Sequence, residues 1–150
     1  GDGLKISMAA ISETGRAGMA GCGLGVISAC LEASVKFANE RLLAGKPISQ
    51  HQGIQWMIAD MYMDLETSRL LSYRAAWMRD QKMRCDTDMA MAKYYATEAA
   101  VRCAKKAVDI HGGYGYMMEY HMQRYFRDAK VTEIYEGTSE VQRIIISRAL

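Results

Sequence analysis

Proline is almost absent from this sequence, and the β-branched residues that favour strands are few. The 150 residues include one proline, Pro47, whereas sheets need frequent turns in which turn-forming residues collect. Half of the residues are hydrophobic and 12 are methionine, which is a good helix former. This composition argues against an all-β domain and favours long helices.

An excess of one charge and long apolar runs are missing as well. The formal net charge of +2 at pH 7 is too small to predict a nucleic-acid surface. No apolar run approaches the roughly 20 residues of a membrane span, so none is expected. Residues 1–5 lack the apolar core of a signal peptide, and we interpret this start as a cut within a longer protein.

Cysteine and histidine lack the spacing of a metal site. The four cysteines contain no C-x-x-C pair. This leaves disulfides or buried thiols, and we favour reduced, buried thiols in a reducing intracellular compartment. A di-iron bundle needs Glu-x-x-His pairs, but Glu119 and His121 are only two apart. No metal is predicted, and we expect the histidines at loops or helix ends: His51, His111 and His121.

Hydrophobic periodicity and helix-stop signals predict helices over most of the chain. Gly45 and Pro47 end the first helix, because glycine serves as a C-cap and proline cannot continue a helix. Ser139 and Gln142 match a capping box at the start of the last helix. The predicted ranges are about 16–43, 50–80, 88–111, 120–128 and 139–146.

Apolar stripes on these helices predict their packing. The second helix carries Ile54, Ile58, Met61, Leu65 and Leu71 on one face, and Asp60, Asp64 and Arg79 on others. The third carries small residues that allow close helix approach: Ala92, Ala96, Ala99, Cys103, Ala107 and Ile110. Long helices joined by short breaks predict an all-α fold, an antiparallel four-helix bundle.

Two glycine runs have only a superficial likeness to nucleotide loops. Residues 21–25 (Gly-Cys-Gly-Leu-Gly) lack the G-x-G-x-x-G spacing and follow no strand, so we interpret them as a close-packed helix surface. Residues 112–115 (Gly-Gly-Tyr-Gly) lack the ending of a Walker loop. We predict a tight turn there, where an anion could approach the backbone.

The segment before the last helix carries a candidate for acid–base chemistry. Taken alone, Glu136 and Glu140 are carboxylates near a helix N-terminus, where the helix dipole favours negative charge. Glu136 also lies between the pair Ile134–Tyr135 and Gly137, so a tight turn could press it against apolar surface. A carboxylate desolvated in that way is better suited to proton abstraction.

This segment resembles the C-terminal signature of the acyl-CoA dehydrogenase family. Residues 127–130 (Arg-Asp-Ala-Lys) and 134–140 (Ile-Tyr-Glu-Gly-Thr-Ser-Glu) match that signature closely. Residues 1–4 resemble the end of the family's β-domain. Further matches extend over the whole chain, at Arg16, Arg41, residues 54–55, residues 59–61 and the glycine turn 112–116.

The resemblance implies α,β-dehydrogenation of an acyl-CoA thioester. Glu136 would remove the α-proton while hydride leaves the β-carbon for the flavin. The Glu136 backbone N–H and a flavin ribityl hydroxyl would polarise the thioester carbonyl, as an oxyanion hole does. Tyr135 and Gly137 would flank the acyl chain. A family stretch that contacts the substrate is matched by Glu13, Thr14, Gly15 and Arg16.

The resemblance also implies FAD as the cofactor, held largely across a subunit interface. Arg41 would pair with the pyrophosphate, which suits the fork of a guanidinium. Taken alone, Arg41 would be interpreted as a member of a surface salt bridge. The other matching positions are Gln52, Asp109, Ile110, His111, Gly112, Gly113, Thr138, Ser139 and Glu140.

Four positions differ from the residues that are frequent in the family or distinguish its branches. Leu43 and Ala44 stand where many relatives have a small or polar residue and a phenylalanine. Asp109 stands where glutamine is frequent, and its carboxylate would repel a pyrophosphate unless it is paired or protonated. Some branches place their catalytic glutamate at the position of Gly15. Glycine there leaves Glu136 as the base and resembles the short-chain, butyryl-type branch.

The resemblance further implies how the domain is used. Residues 1–150 would be the C-terminal helical domain of a larger dehydrogenase, inactive alone and weak in FAD binding without the N-terminal helical domain and the β-domain. Family members are usually tetramers that pass electrons to an electron-transfer flavoprotein, in the bacterial cytoplasm or the mitochondrial matrix. An alternative from another class is a non-catalytic oligomerisation or binding module with this fold.

Overall fold

The computed structural model describes residues 1–10 and 14–150. Its helices are α1 Gly3–Ala10, α2 Arg16–Glu40, α3 Gln52–Asp80, α4 Asp86–His111, α5 Gly113–Tyr116, α6 Met122–Thr132 and α7 Ser139–Ser147. Between α2 and α3 lie two short strands and a 3-10 turn, namely β1 Leu42–Leu43, β2 Lys46–Pro47 and Ile48–Gln50. The fold is all-α, as predicted.

The three long helices alternate in direction. Arg74 of α3 pairs with Asp88 near the start of α4 at 3.0 Å. Asp60, near the start of α3, pairs with Lys106 near the end of α4 at 2.7 Å, so these two helices are antiparallel. Arg16, at the start of α2, donates a hydrogen bond to a backbone carbonyl at the start of α4. Helix α2 therefore runs parallel to α4, while α6 and α7 pack against α4 and complete the bundle.

Small residues bring α2 and α4 into close contact. All six residues of the predicted α4 stripe are buried: Ala92, Ala96, Ala99, Cys103, Ala107 and Ile110. A Cβ atom on Gly23 of α2 would lie 2.7 Å from the Ala96 carbonyl oxygen, whereas Gly21 and Gly25 face open space. The close-packed surface predicted for the glycine run is therefore confined to Gly23.

Helix α2 ends at Glu40 rather than near residue 43. The next residues form an antiparallel hairpin of β1 with β2. Its two-residue turn, Ala44–Gly45, has φ values of 51° and 79°, and positive φ at both positions is what a type I′ turn requires. Pairing across this turn replaces the last helical turn that the periodicity predicted.

Other boundaries also differ from the prediction. Helix α4 begins at Asp86, and α6 spans Met122–Thr132 rather than 120–128. Helix α1 was not predicted, and it buries none of its residues. Because α1 has no buried face, its sequence has no apolar periodicity from which the helix could have been predicted.

The cap of α7 lies one residue earlier than predicted, so the capping box is wrong. Thr138 is the N-cap, and its hydroxyl accepts a hydrogen bond from the Val141 N–H at 3.4 Å. Ser139 is the first residue of the helix. The Gln142 side chain instead donates to the Gly137 carbonyl at 3.0 Å. The turn before the helix places Thr138 in an extended conformation, which is the backbone geometry that an N-cap needs.

Asp64, which the sequence placed on a polar face of α3, is buried against α4. Its carboxylate accepts hydrogen bonds from the Arg102 guanidinium at 2.7 Å and from the Tyr95 hydroxyl at 3.1 Å. A buried charge is costly unless it is paired and hydrogen-bonded. The prediction failed because this pairing comes from α4, which sequence periodicity within α3 cannot detect.

The cysteines follow the prediction in the core but not at the surface. All four are free thiols. Cys30 and Cys103 are buried, and burial raises the pKa of each to about 12. Cys85 is half-buried, whereas Cys22 is exposed and was wrongly expected inside.

Helix α2 is long and apolar enough to cross a membrane by length and composition, which departs from the expectation of no such stretch. Core helices of globular proteins pass the same test. In this fold α2 packs against both α3 and α4. Its buried residues are Ala20, Gly23, Ile27, Cys30, Ser34 and Ala38.

Gly21 and Gly23 of α2 differ in packing and provide a matched test of the α2–α4 contact. We expect Gly23→Ala to lower the free energy of unfolding by about 1–3 kcal/mol, because the new methyl group meets backbone that cannot move aside. Gly21→Ala should raise it by up to about 1 kcal/mol, because alanine is the better helix former where space is open. Urea unfolding of both variants measures the two changes, and equal effects would contradict this packing.

Candidate functional site

The predicted site residues lie at three places on the bundle. The first is the turn of residues 135–137 against the start of α2, which we call the Glu136 turn. The second is a groove beside Arg41 between the end of α2, the start of α3 and the end of α4, which we call the Arg41 groove. The third is a polar depression at the start of α7.

The Glu136 turn has an unusual backbone. Glu136 and Gly137 both have positive φ, at 54° and 90°. Only glycine adopts this region readily, and other residues held there cost on the order of 1–3 kcal/mol. A non-glycine residue kept in this conformation is a reason to suspect function. In the described residues, the Glu136 backbone N–H has no hydrogen-bond partner.

Gly15 makes room for the Glu136 side chain. A Cβ atom on Gly15 would lie 2.7 Å from the Glu136 carboxyl carbon and 3.2 Å from its Cγ. The Gly15 backbone is ordinary right-handed helix, so steric space and not φ requires glycine. The carboxylate thus lies beside the N-terminus of α2, whose first turn has no acidic side chain and whose dipole favours a negative group.

The residues predicted to contact substrate are chain neighbours of Gly15 or of Glu136. Tyr135 is 42% exposed, and its pKa is raised by partial burial and by its neighbours Cys22 and Glu136. Arg16 follows Gly15 at the start of α2 and is half-buried. Thr14 is exposed, and its hydroxyl donates to the Ala10 carbonyl at 2.6 Å. The predicted Glu13 lies outside the described residues.

The Arg41 groove brings together five of the residues predicted to bind the cofactor. Its volume is about 770 Å³. The predicted members are Arg41, Ile110, His111, Gly112 and Gly113. The remaining lining residues are Phe37, Leu43, Ile48, His51, Ile54, Tyr114 and Met117. The groove is therefore apolar, with a cation at its edge and a glycine turn at one end.

Aromatic rings support the Arg41 guanidinium. The Phe37 ring stacks on His111 with centroids 4.3 Å apart, and the Arg41 guanidinium lies 5.5 Å above the Tyr114 ring. Within the described part of the chain, Arg41 has no salt-bridge partner, so the interpretation as a surface salt bridge is not met. Its charge is free to meet an anion.

His111 in the groove and Asp109 next to it bear on the charge of the groove. Burial lowers the pKa of His111, whose Nδ1 lies 2.8 Å from the Ala107 carbonyl. This ring is therefore neutral near pH 7 and donates from Nδ1. Asp109 pairs with Lys105 at 2.7 Å, which offsets the repulsion that an unpaired carboxylate would exert. Gln52 opens α3 next to the groove but does not line it.

The α7 depression contains the remaining predicted cofactor residues, Thr138, Ser139 and Glu140. It is separate from the Arg41 groove and has a volume of about 310 Å³. Hydrogen bonds from its own backbone N–H and from the Thr138 hydroxyl lower the pKa of Glu140. Arg143 binds the Tyr94 hydroxyl at 3.2 Å across the α4–α7 contact. The chain alone does not bring this depression and the groove into one site.

Sequence reasoning missed several residues of these places. Phe37 lies one helical turn before Arg41, and that spacing could have shown that both share a face. Tyr114 was seen only as part of a turn. The histidines do lie at helix ends, with His51 and His121 as N-caps. Among residues 1–10 and 14–150, no group of three or more His, Cys, Asp or Glu side chains could hold a metal ion.

The chain is similar to known proteins along its whole length. A family model described as "Acyl-CoA dehydrogenase, C-terminal domain" matches residues 1–150. The mitochondrial short-chain specific acyl-CoA dehydrogenase of Rattus norvegicus is 46% identical over 147 residues, which are 98% of this chain and 35% of that protein. Subunit CarC of the caffeyl-CoA reductase–Etf complex of Acetobacterium woodii is 46% identical over 138 residues, 92% of this chain and 36% of that protein.

A solved structure has the same fold. Butyryl-CoA dehydrogenase from Megasphaera elsdenii superimposes with a TM-score of 0.95 at 42% sequence identity, over 99% of this chain and 39% of that one. The chain thus spans between 35% and 39% of the length of these proteins.

The contact between Gly15 and Glu136 can be tested directly. We expect Gly15→Ala to displace the Glu136 carboxylate, because the new methyl group meets the flexible end of that side chain rather than backbone. The free energy of unfolding should fall by about 1 kcal/mol or less. A crystal structure of the variant checks the side-chain position. Gly18→Ala, where space is open, is the control, and an unmoved Glu136 carboxylate in Gly15→Ala would contradict the contact.

Proposed function

The chain belongs to the acyl-CoA dehydrogenase family, and we propose that it is the C-terminal helical domain of a flavin-dependent enzyme that dehydrogenates an acyl-CoA between its α- and β-carbons. The relatives are more than twice as long as this chain. Their remaining length would supply the other walls of the site. We therefore expect residues 1–150 alone to be inactive and to bind FAD weakly.

We propose Glu136 as the base that removes the α-proton. Its placement on a positive-φ turn supports this role, because strain of that kind persists where the surroundings hold a side chain in one position. The carboxylate lies in the space that Gly15 leaves. A carboxylate held within reach of a carbon acid raises the rate through proximity as well as basicity.

The free Glu136 backbone N–H would serve the same reaction. The α-proton of a thioester is too weakly acidic for a carboxylate unless the carbonyl oxygen is stabilised as negative charge develops. The Glu136 N–H has no partner among the described residues, and it belongs to the residue that bears the base. One residue would thus supply both the base and a donor to the thioester oxygen.

The Arg41 groove fits the adenine and pyrophosphate end of FAD. An unpaired guanidinium at its edge suits a pyrophosphate, and the side-chain-free turn Gly112–Gly113 lets phosphate oxygens approach the backbone. Apolar and aromatic walls suit a planar base. When bound, the flavin accepts the hydride that leaves the β-carbon. The α7 depression would complete the cofactor site from another subunit.

The substrate would be a short-chain acyl-CoA. Gly15 leaves the alternative base position without a carboxylate, a feature of the butyryl-type branch. Relatives named for short-chain and butyryl substrates support this proposal. Tyr135 and Gly137 would flank the acyl chain, with Arg16 beside it.

We also propose how the protein assembles and which protein accepts its electrons. A homo-oligomer is supported by exposed apolar residues on α7, Val141 and Ile144, and on α3 at seven-residue spacing, Trp56, Met63, Leu70 and Trp77. An electron-transfer flavoprotein would be the acceptor, as the name of the Acetobacterium relative suggests. The enzyme would act in the cytoplasm of a bacterium or in a mitochondrial matrix.

Glu136→Gln tests the proposed base in the full-length enzyme. We expect reduction of the bound flavin by butyryl-CoA to fall by about 10⁴-fold or more, since glutamine cannot accept the proton. FAD content should be unchanged. Stopped-flow flavin absorbance measures the rate. Glu66→Gln on α3, whose carboxylate pairs with Arg69 at the surface, is the control. Undiminished turnover in Glu136→Gln would show that another group is the base, whereas a wild-type protein that reduces no flavin would support the non-catalytic alternative.

Arg41→Gln tests the cofactor groove in the full-length enzyme. Loss of a charge-assisted bond to pyrophosphate should weaken FAD binding by about 10- to 100-fold. Fluorescence titration of the apoenzyme with FAD measures the dissociation constant. Arg84→Gln, in the exposed α3–α4 connection, should leave this constant unchanged. Equal constants for wild type and Arg41→Gln would place the pyrophosphate elsewhere.

A further inference from the structure

The neighbours of His111, the last residue of α4, fix the orientation of its ring. The Nδ1–H donates to the Ala107 carbonyl, one turn earlier in the same helix, at 2.8 Å. The Phe37 ring stacks on the imidazole with centroids 4.3 Å apart, and the Tyr120 ring makes a T-shaped contact with it at 5.9 Å. Only 4% of the residue is exposed. The imidazole therefore cannot turn over without the loss of a buried hydrogen bond, which is costly.

The second ring nitrogen of His111 is a hydrogen-bond acceptor without a partner. Burial lowers the pKa of His111, so the ring is neutral near pH 7. A neutral imidazole whose proton is on Nδ1 can only accept at Nε2. Nε2 lies on nearly the opposite side of the ring from Nδ1, so it points away from the Ala107 carbonyl. Within the described residues Nε2 has no hydrogen-bond partner, and it is not one of the fully enclosed polar atoms.

This acceptor is available to a ligand of the Arg41 groove, because His111 lines that groove. The ligand must offer a donor, since a phosphate oxygen beside Nε2 would meet another lone pair. The pyrophosphate is instead proposed to lie at Arg41 and the turn Gly112–Gly113. In the adenosine half of FAD, the remaining donors are the exocyclic amino group of adenine and the ribose hydroxyls.

The walls beside His111 favour the amino group over a hydroxyl. Phe37 and Tyr114 both line the groove, and their ring centroids are 6.1 Å apart. Flat aromatic surfaces of this kind pack against the plane of a base. The amino group lies in the plane of adenine, at its edge. A base packed among these rings would therefore present its amino group to a ring nitrogen such as Nε2.

We propose that His111 selects adenine: its Nε2 accepts a hydrogen bond from the exocyclic amino group of the FAD adenine in the Arg41 groove. The inference rests on the proposed function, because it requires the adenine end of FAD in this groove. His111 would touch the cofactor far from the reacting atoms. Its contribution is therefore to the affinity for FAD and not to the chemical step.

The test combines a His111 variant with an FAD analogue in the full-length apoenzyme. In the analogue, flavin purine dinucleotide, a hydrogen atom replaces the adenine amino group. Wild type should bind the analogue about tenfold more weakly than FAD, because Nε2 is left without a donor. His111→Phe keeps a flat ring against Phe37 but has no acceptor, so it should bind FAD and the analogue equally. Flavin fluorescence titration measures all the dissociation constants without a measurement of activity.

His51→Phe is the matched control in the same groove. His51 also lines the groove, but its Nε2 lies 3.3 Å from the Leu43 carbonyl, which ties this ring to the hairpin. The variant should keep the wild-type preference for FAD over the analogue. If His51→Phe loses the preference while His111→Phe keeps it, the acceptor is His51 and the assignment to His111 is wrong.

The preference for the amino group, rather than affinity alone, decides the role of His111. If His111→Phe weakens both ligands by the same factor and keeps the preference, His111 has only a structural role. Equal constants for the two ligands in the wild type also overturn the assignment, because the amino group then makes no bond. If His111→Phe does not fold, His111→Leu takes its place, with the same expected loss of preference.

Failure of the proposed cofactor site gives a different result. If Arg41→Gln binds FAD as tightly as the wild type, the groove does not hold the pyrophosphate, and the role of His111 falls with it. If Arg41→Gln weakens FAD binding but His111→Phe keeps the preference for the amino group, the cofactor site stands and only the assignment to His111 is wrong.

Discussion

The close contact between α2 and α4 sets the position of everything else in this bundle. Gly23 lies against the Ala96 carbonyl, and the alanine stripe of α4 keeps the two axes close along their length. Because the two helices are parallel and in register, the start of α2 lies at the end of the bundle where α6 turns into α7. That register brings Gly15 to Glu136. A wider α2–α4 spacing would separate the two halves of the candidate catalytic site.

Two charged side chains are buried in the bundle in different environments. Asp64 is buried together with Arg102 and Tyr95, and this pairing offsets the cost of taking a charge out of water. Lys93 is buried, and within the described residues its ammonium makes no hydrogen bond. The first arrangement joins α3 to α4.

The sequence predicted the helices well where a long apolar face is buried. The α4 stripe was correct at every position because small residues at helical spacing have one favourable arrangement, against another helix. The prediction failed where a local hydrogen bond or a partner from a distant segment determines the structure. The hairpin after Glu40 depends on strand pairing across Ala44–Gly45, the cap at Thr138 depends on the turn before it, and the burial of Asp64 depends on α4. Periodicity within one segment contains none of this information.

For the candidate site, the sequence determined which residues are candidates, and the tertiary structure determined how those residues are arranged. The candidate residues around Glu136 and Arg41 were named from their match to the family's motifs, since either residue taken alone has an ordinary structural interpretation. Gly15 leaves space for the Glu136 carboxylate, Tyr114 supports Arg41, and Thr138 lies away from the Arg41 groove. These features depend on distances between segments that are far apart in the chain. Helix packing fixes such distances, and no local pattern encodes them.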